Sequence, residues 1–62
     1  MSERMTFDQI IFHEIKSGRR TVRQIQQSRP LFMRADIRAA ISSLMWRGEI
    51  ERVLGHGYRE AA

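Results

Sequence analysis

Ten of the eleven basic side chains are arginines, and they are spread unevenly along the chain. Residues 16–47 hold eight bases, Lys16 among them, against Asp36 alone, while residues 1–15 and 48–62 are weakly acidic. A guanidinium is a planar fork that pairs phosphate oxygens or a guanine edge through two hydrogen bonds, where an ammonium acts as a point charge. An arginine-dense centre therefore points to a polyanion partner, with a plain solvated face as the alternative. Other kinds of chemistry lack their residues. Cysteine is absent, which excludes a disulfide, a thiolate zinc site and a thiol nucleophile. His13 and His56 lie far apart, with no spacing that suits a metal. No Ser/His/acid trio, carboxylate pair or phosphate-cradling glycine loop stands out. A chain of 62 residues also has little volume for a pocket once its own core is filled. The expectation is a protein that is not an enzyme, with no cofactor, metal or small-molecule ligand.

The elements that position these side chains announce themselves locally. Thr6 and Gln9 form a capping box, with Met5 and Ile10 as a hydrophobic staple. Phe7, Ile10, Ile11 and Ile15 make one apolar stripe, and Gly18 ends the helix; the spacing predicts a helix over 7–17. Thr21 and Gln24 repeat the box, Val22 and Ile25 supply the buried side, and Pro30 closes a short helix over 22–28. Ile37, Ala40, Ile41 and Leu44 lie within about 100° of one another on a third helix over 34–47, stopped by Gly48. Leu31 and Phe32 are expected to pack beneath it. Its opposite side carries Ala35, Arg38, Ala39, Ser42 and Ser43, a smooth surface that suits close approach by a partner.

Past Gly48 the period changes from 3.6 towards 2. Residues 50–54 and 58–60 read as strands around a Gly55-His56-Gly57 turn, together a β-hairpin over 49–60. Met33 and Met45 are expected in the core, and Trp46 is expected under the hairpin or against the second helix, with a partner contact as its alternative. Phe12 is open between core and patch, and His13 is expected to be exposed. Asp8 reads as a partner of the first helix dipole. Met1–Arg4 and Ala61–Ala62 are expected to fray. No apolar run exceeds three residues, so neither a membrane span nor a signal-peptide core is expected. The expected location is the cytoplasm.

Helix, short helix, turn, helix and hairpin is the order of a winged helix-turn-helix, and residues 6–60 resemble that superfamily. Ser17–Ile25 is similar to its strand stub and second helix. Ile37, Ile41, Leu44 and Gly48-Glu49-Ile50 match its apolar register, and Arg52–Arg59 resembles the wing of small bacterial and phage regulators. The resemblance implies an α+β, mainly α fold of three helices with a C-terminal hairpin wing, filling residues 1–62 as a single domain. It implies sequence-specific binding of double-stranded DNA by a small transcriptional regulator, such as a repressor, with helix 34–47 in the major groove and the 55–59 wing on backbone or minor groove. Arg34, Arg38, Ser42 and Ser43 would line the groove side, with Arg38 on a guanine. Arg19, Arg20, Thr21, Arg23, His56 and Arg59 would hold phosphates. A homodimer or cooperative assembly on DNA would supply specificity. Asp36 and the hairpin acids Glu49, Glu51 and Glu60 depart from a uniformly basic surface. The alternatives are a winged-helix adaptor that binds protein without DNA readout and, more weakly, an RNA binder.

Overall fold

The structure, a computed structural model, describes residues 5–61. Thr6 opens the first helix, α1 (Phe7–Lys16), with both halves of the expected box: Gln9 N–H donates to Thr6 Oγ1 at 3.2 Å and Thr6 N–H to Gln9 Oε1 at 2.8 Å. Ser17 caps its end one residue before the expected stop, and Gly18 takes φ 108°, which a side chain disfavours. α2 spans Val22–Ser28 as expected. α3 spans Arg34–Trp46, with Arg47 as its cap and Gly48 at φ 74° behind it. Met33 precedes α3 without a side-chain cap bond, so this helix depends on packing rather than on its start.

The hairpin consists of β1 (Ile50–Val53) and β2 (Gly57–Glu60), antiparallel, with Ile50 opposite Glu60 and Val53 opposite Gly57. Its turn is Leu54–His56, so Leu54 belongs to the turn and Gly57 to the strand, one residue away from the expected placement. Ala61, expected to fray, donates its N–H to Glu49 O at 3.0 Å; Met1–Arg4 and Ala62 lie outside the described residues. The result is a small α+β fold, mainly helical, of three helices and a two-stranded hairpin among the described residues.

Every element contributes to one core. Ile11 and Ile15 come from α1, Ile25 from α2, Ile37, Ala40, Ile41 and Leu44 from α3, and Ile50 from β1. Each fully buried isoleucine stabilises the fold by roughly 1.5–3 kcal/mol relative to exposure. Phe7, Phe12, Val22, Phe32 and Tyr58 pack around them, with the Phe7 and Phe32 ring centroids 4.9 Å apart. Phe12 therefore belongs to the core margin.

Several apolar side chains do not follow expectation. Ile10 is half-buried at the edge, and the true α1 stripe is Phe7, Ile11 and Ile15. Leu31 is 95% exposed, Met33 66% and Met45 40%, and Trp46, expected to pack, is 90% exposed. The physical reason is geometric. Four side chains of α3 already fill the space facing α1 and α2, and Trp46 lies on the opposite arc, where no other element passes.

Candidate functional site

The basic surface is built around the backbone of Arg20. Thr21 Oγ1 accepts from Gln24 N–H at 3.1 Å, which starts α2, but the Gln24 amide reaches past Thr21: its Oε1 accepts from Arg20 N–H at 2.7 Å. On its other side, the Arg20 carbonyl accepts from Tyr58 N–H at 2.7 Å. Both polar groups of one residue are thus fixed, one by α2 and one by β2. The Arg20 side chain leaves from the junction of hairpin and helix, exposed to solvent. Arg23 follows three residues on, exposed on α2.

α3 divides into three strips about its buried side. Ala35, Ala39, Ser42 and Trp46 form the outermost strip. Arg34, Arg38 and Met45 turn towards α2 and the hairpin. Arg34 Nε donates to Gln26 Oε1 at 2.7 Å, and Arg38 and Met45 share a hollow of about 270 Å³ with Val22 and Tyr58. Asp36 and Ser43 turn the other way, where they line a hollow of about 330 Å³ with Phe7 and Asp8 of α1. One flank of α3 is therefore basic and the other acidic.

Ion pairs sort the arginines further. Arg19 Nε lies 3.5 Å from Glu14 Oε1 without forming a hydrogen bond, and Arg29 Nη2 lies 3.4 Å from Glu14 Oε2. Glu14 is only 8% exposed, and its charge is compensated by two arginines from the chain that leaves α1 and α2. Arg47 pairs with Asp8 at 3.1 Å and Glu49 at 3.0 Å, so Asp8 serves as an ion-pair partner as well as a first-turn acid. Arg59 Nε donates to Glu51 Oε2 at 2.7 Å across the hairpin. Among the described residues, Arg20, Arg23, Arg34, Arg38 and Arg52 have no carboxylate within ion-pair distance. All five are exposed.

Of the residues singled out in the sequence, Arg38 and Ser42 line the hollow between α2, α3 and the hairpin, Arg34 bonds Gln26 of α2, and Arg20 and Arg23 stand exposed at the start of α2. Thr21 stands there too, its hydroxyl committed to capping. His56 is exposed at the hairpin turn. Arg19 and Arg59 keep their positions but have acidic partners, and Ser43 belongs to the acidic flank with Asp36, which pairs with neither Arg34 nor Arg38. Sequence reasoning passed over Arg52, which sits directly opposite Tyr58 in the hairpin register. Trp46, for which the sequence favoured packing and held a partner contact as the alternative, stands exposed opposite the core stripe. No helix among the described residues is long and apolar enough to cross a membrane. No family model, curated protein or solved structure matches the chain.

Proposed function

We propose that this chain is a winged-helix protein that binds double-stranded DNA sequence-specifically as a small transcriptional regulator, with α3 in the major groove and the hairpin as its wing on backbone or minor groove. One observation carries the reading. Among the described residues, the five arginines free of carboxylate partners come from α2, its lead-in, α3 and the hairpin, the elements that meet at Tyr58, whereas Arg19, Arg29, Arg47 and Arg59 have acidic partners. A fold that needed arginine only for solubility has no reason to segregate them this way.

The dimensions suit the role. A helix about 10–12 Å across fits a major groove about 12 Å wide, and the short side chains of Ala35, Ala39 and Ser42 let the α3 backbone approach the base edges. Arg38 and Arg34 supply forks that can pair guanine O6 and N7. Arg20, Arg23 and Arg52 neutralise phosphates and fix the register. The A-form major groove of RNA is too deep and narrow for this helix. One copy covers about half a turn, so a homodimer or a cooperative row on repeated half-sites raises specificity.

The test is a salt titration of duplex affinity. If Arg20, Arg23 and Arg52 each neutralise one phosphate, log K falls against log salt with a slope of about −3. Amide NMR shifts on adding mixed-sequence duplex are expected at residues 20–23, 34–42 and 52–59. Absence of duplex binding at low salt overturns the proposal.

A further inference from the structure

The side of α3 that faces the hairpin holds more than arginine. The hollow of about 270 Å³ bordered by Val22, Arg38 and Tyr58 adjoins a second of about 410 Å³ beside Trp46, and the two share Ser42 and Met45. Together they form one open trough with an apolar floor. Trp46 is the only tryptophan in the chain and is 90% exposed at one end of it. A phosphate-sugar backbone offers little apolar surface to cover an indole and a methionine side by side. Protein interface cores do, and they are enriched in Trp, Tyr, Met and Arg and depleted in Lys, Asp, Glu, Ser and Ala. The trough lining largely follows that profile: it contains Trp46, Tyr58, Met45 and Arg38, no Lys, Asp, Glu or Ala, and Ser42 as its one residue of a depleted type.

From this composition we infer that the trough receives an acidic amphipathic helix of a partner protein, which competes with DNA for the same side of the molecule. A helix with apolar residues at i, i+3, i+4 and i+7 lays that stripe along Trp46, Met45 and Val22. Its carboxylates then meet Arg38 in the trough and Arg20, Arg23 and Arg52 around it, the arginines that lack acidic partners among the described residues. A second copy of the chain does not supply this ligand. Its own amphipathic stripes on α1, α2 and α3 are spent on the core. The inference goes beyond DNA binding, and only its competition with duplex rests on that reading.

Trp46, as the sole tryptophan, is its own reporter. The probe is a synthetic peptide of about 18 residues, or five turns, with Leu and Phe on one helical face and Glu on the other. The control has the same composition with the apolar positions scrambled. The patterned peptide is expected to shift Trp46 emission to shorter wavelength, to bind at least about tenfold more tightly than the control, and to displace a bound duplex. Trp46→Ala, an exposed substitution whose folding is checked by circular dichroism, is expected to weaken peptide binding about thirtyfold, as read by anisotropy of a labelled peptide. Equal affinity for patterned and scrambled peptides overturns the inference, since charge alone then explains binding. Unchanged affinity in Trp46→Ala overturns it as well, as does a concentration-dependent emission shift of the free protein, which identifies a second copy as the occupant. Duplex affinity of the unaltered protein is measured in parallel, so peptide binding without duplex binding retains this inference and removes the DNA reading, and the converse result does the reverse.

Discussion

The backbone N–H of Tyr58 donates to the carbonyl of Arg20 at 2.7 Å, and this bond joins the hairpin to the segment that leads into α2. The approach is close because Gly57 stands beside it at φ 83°. A Cβ at that position would overlap the Arg20 carbonyl and lie 3.1 Å from Thr21 Cγ2, both in the rigid start of α2. Gly57→Ala is therefore expected to destabilise the fold by about 2–4 kcal/mol, from the left-handed backbone plus a clash that only hairpin displacement relieves. Gly55 has a similar φ of 77°, but a Cβ there would meet nothing within 4 Å. Gly55→Ala should accordingly lose only about 1 kcal/mol. Urea denaturation of the two variants separates contact from conformation, and equal losses would remove the contact as the cause.

Glu14 couples stability to charge. Replacing it by Gln removes the acid shared by Arg19 and Arg29. Their side chains are 47% and 46% exposed, so water takes over much of their solvation and the loss is expected near 1–2 kcal/mol, below that of a fully buried pair. The freed Arg19 becomes available to a phosphate. On the proposed duplex, Glu14→Gln should thus be less stable yet bind more tightly at low salt, with a log–log slope steeper by about 0.9. Melting curves and a salt titration on the same sample check both signs.

Ile25 is the one buried residue of α2, fully inaccessible in the core. Ile25→Ala is expected to lose about 2–5 kcal/mol. A 62-residue chain has a total stability of only about 3–9 kcal/mol, so this loss takes a large share of it and should lower the melting temperature steeply. Ile25→Val, at about 0.5–1.5 kcal/mol, keeps α2 docked and with it the placement of Arg20 and Arg23. Circular dichroism with thermal melting distinguishes the two, and an Ile25→Ala melting temperature as high as that of Ile25→Val would show that α2 is held by something other than this side chain.

What the sequence made legible was local. The capping box at Thr6, the cap at Thr21, the stop at Gly18 and the buried stripe of α3 each depend on residues within a turn or two, and local patterns find them. The second half of the expected box at Thr21 is missing because the Gln24 amide turns to Arg20 N–H. Trp46, Leu31 and Met33 were harder, because an apolar side chain expects burial and only the tertiary arrangement shows that no element crosses there. The arginines were hardest. Placing the turn at 55–57 rather than 54–56 moves the hairpin register by two partners and hides the Glu51–Arg59 pair, since strand neighbours depend on register and not on proximity in sequence. The Glu14–Arg29 pair spans 15 positions and two helices, beyond any local pattern.

The division of arginines into paired and unpaired sets makes the sharpest functional prediction. On a duplex site selected from a random library, Arg38→Ala should lose about 1–3 kcal/mol and relax preference at one base pair, while losing much less on unrelated duplex. Arg23→Ala should weaken both duplexes alike and flatten the log–log salt slope by about 1. Arg59→Ala should weaken both far less than Arg23→Ala does, because its guanidinium already faces Glu51. Anisotropy titrations of the three variants at several salt concentrations give the comparison. If Arg59→Ala proves as damaging as Arg23→Ala, the ion pair opens on binding, and the neutralised arginines have to be counted with the free ones. If Arg38→Ala loses equally on both duplexes, Arg38 holds a phosphate, and base reading passes to Arg34 and the short side chains of the outermost strip.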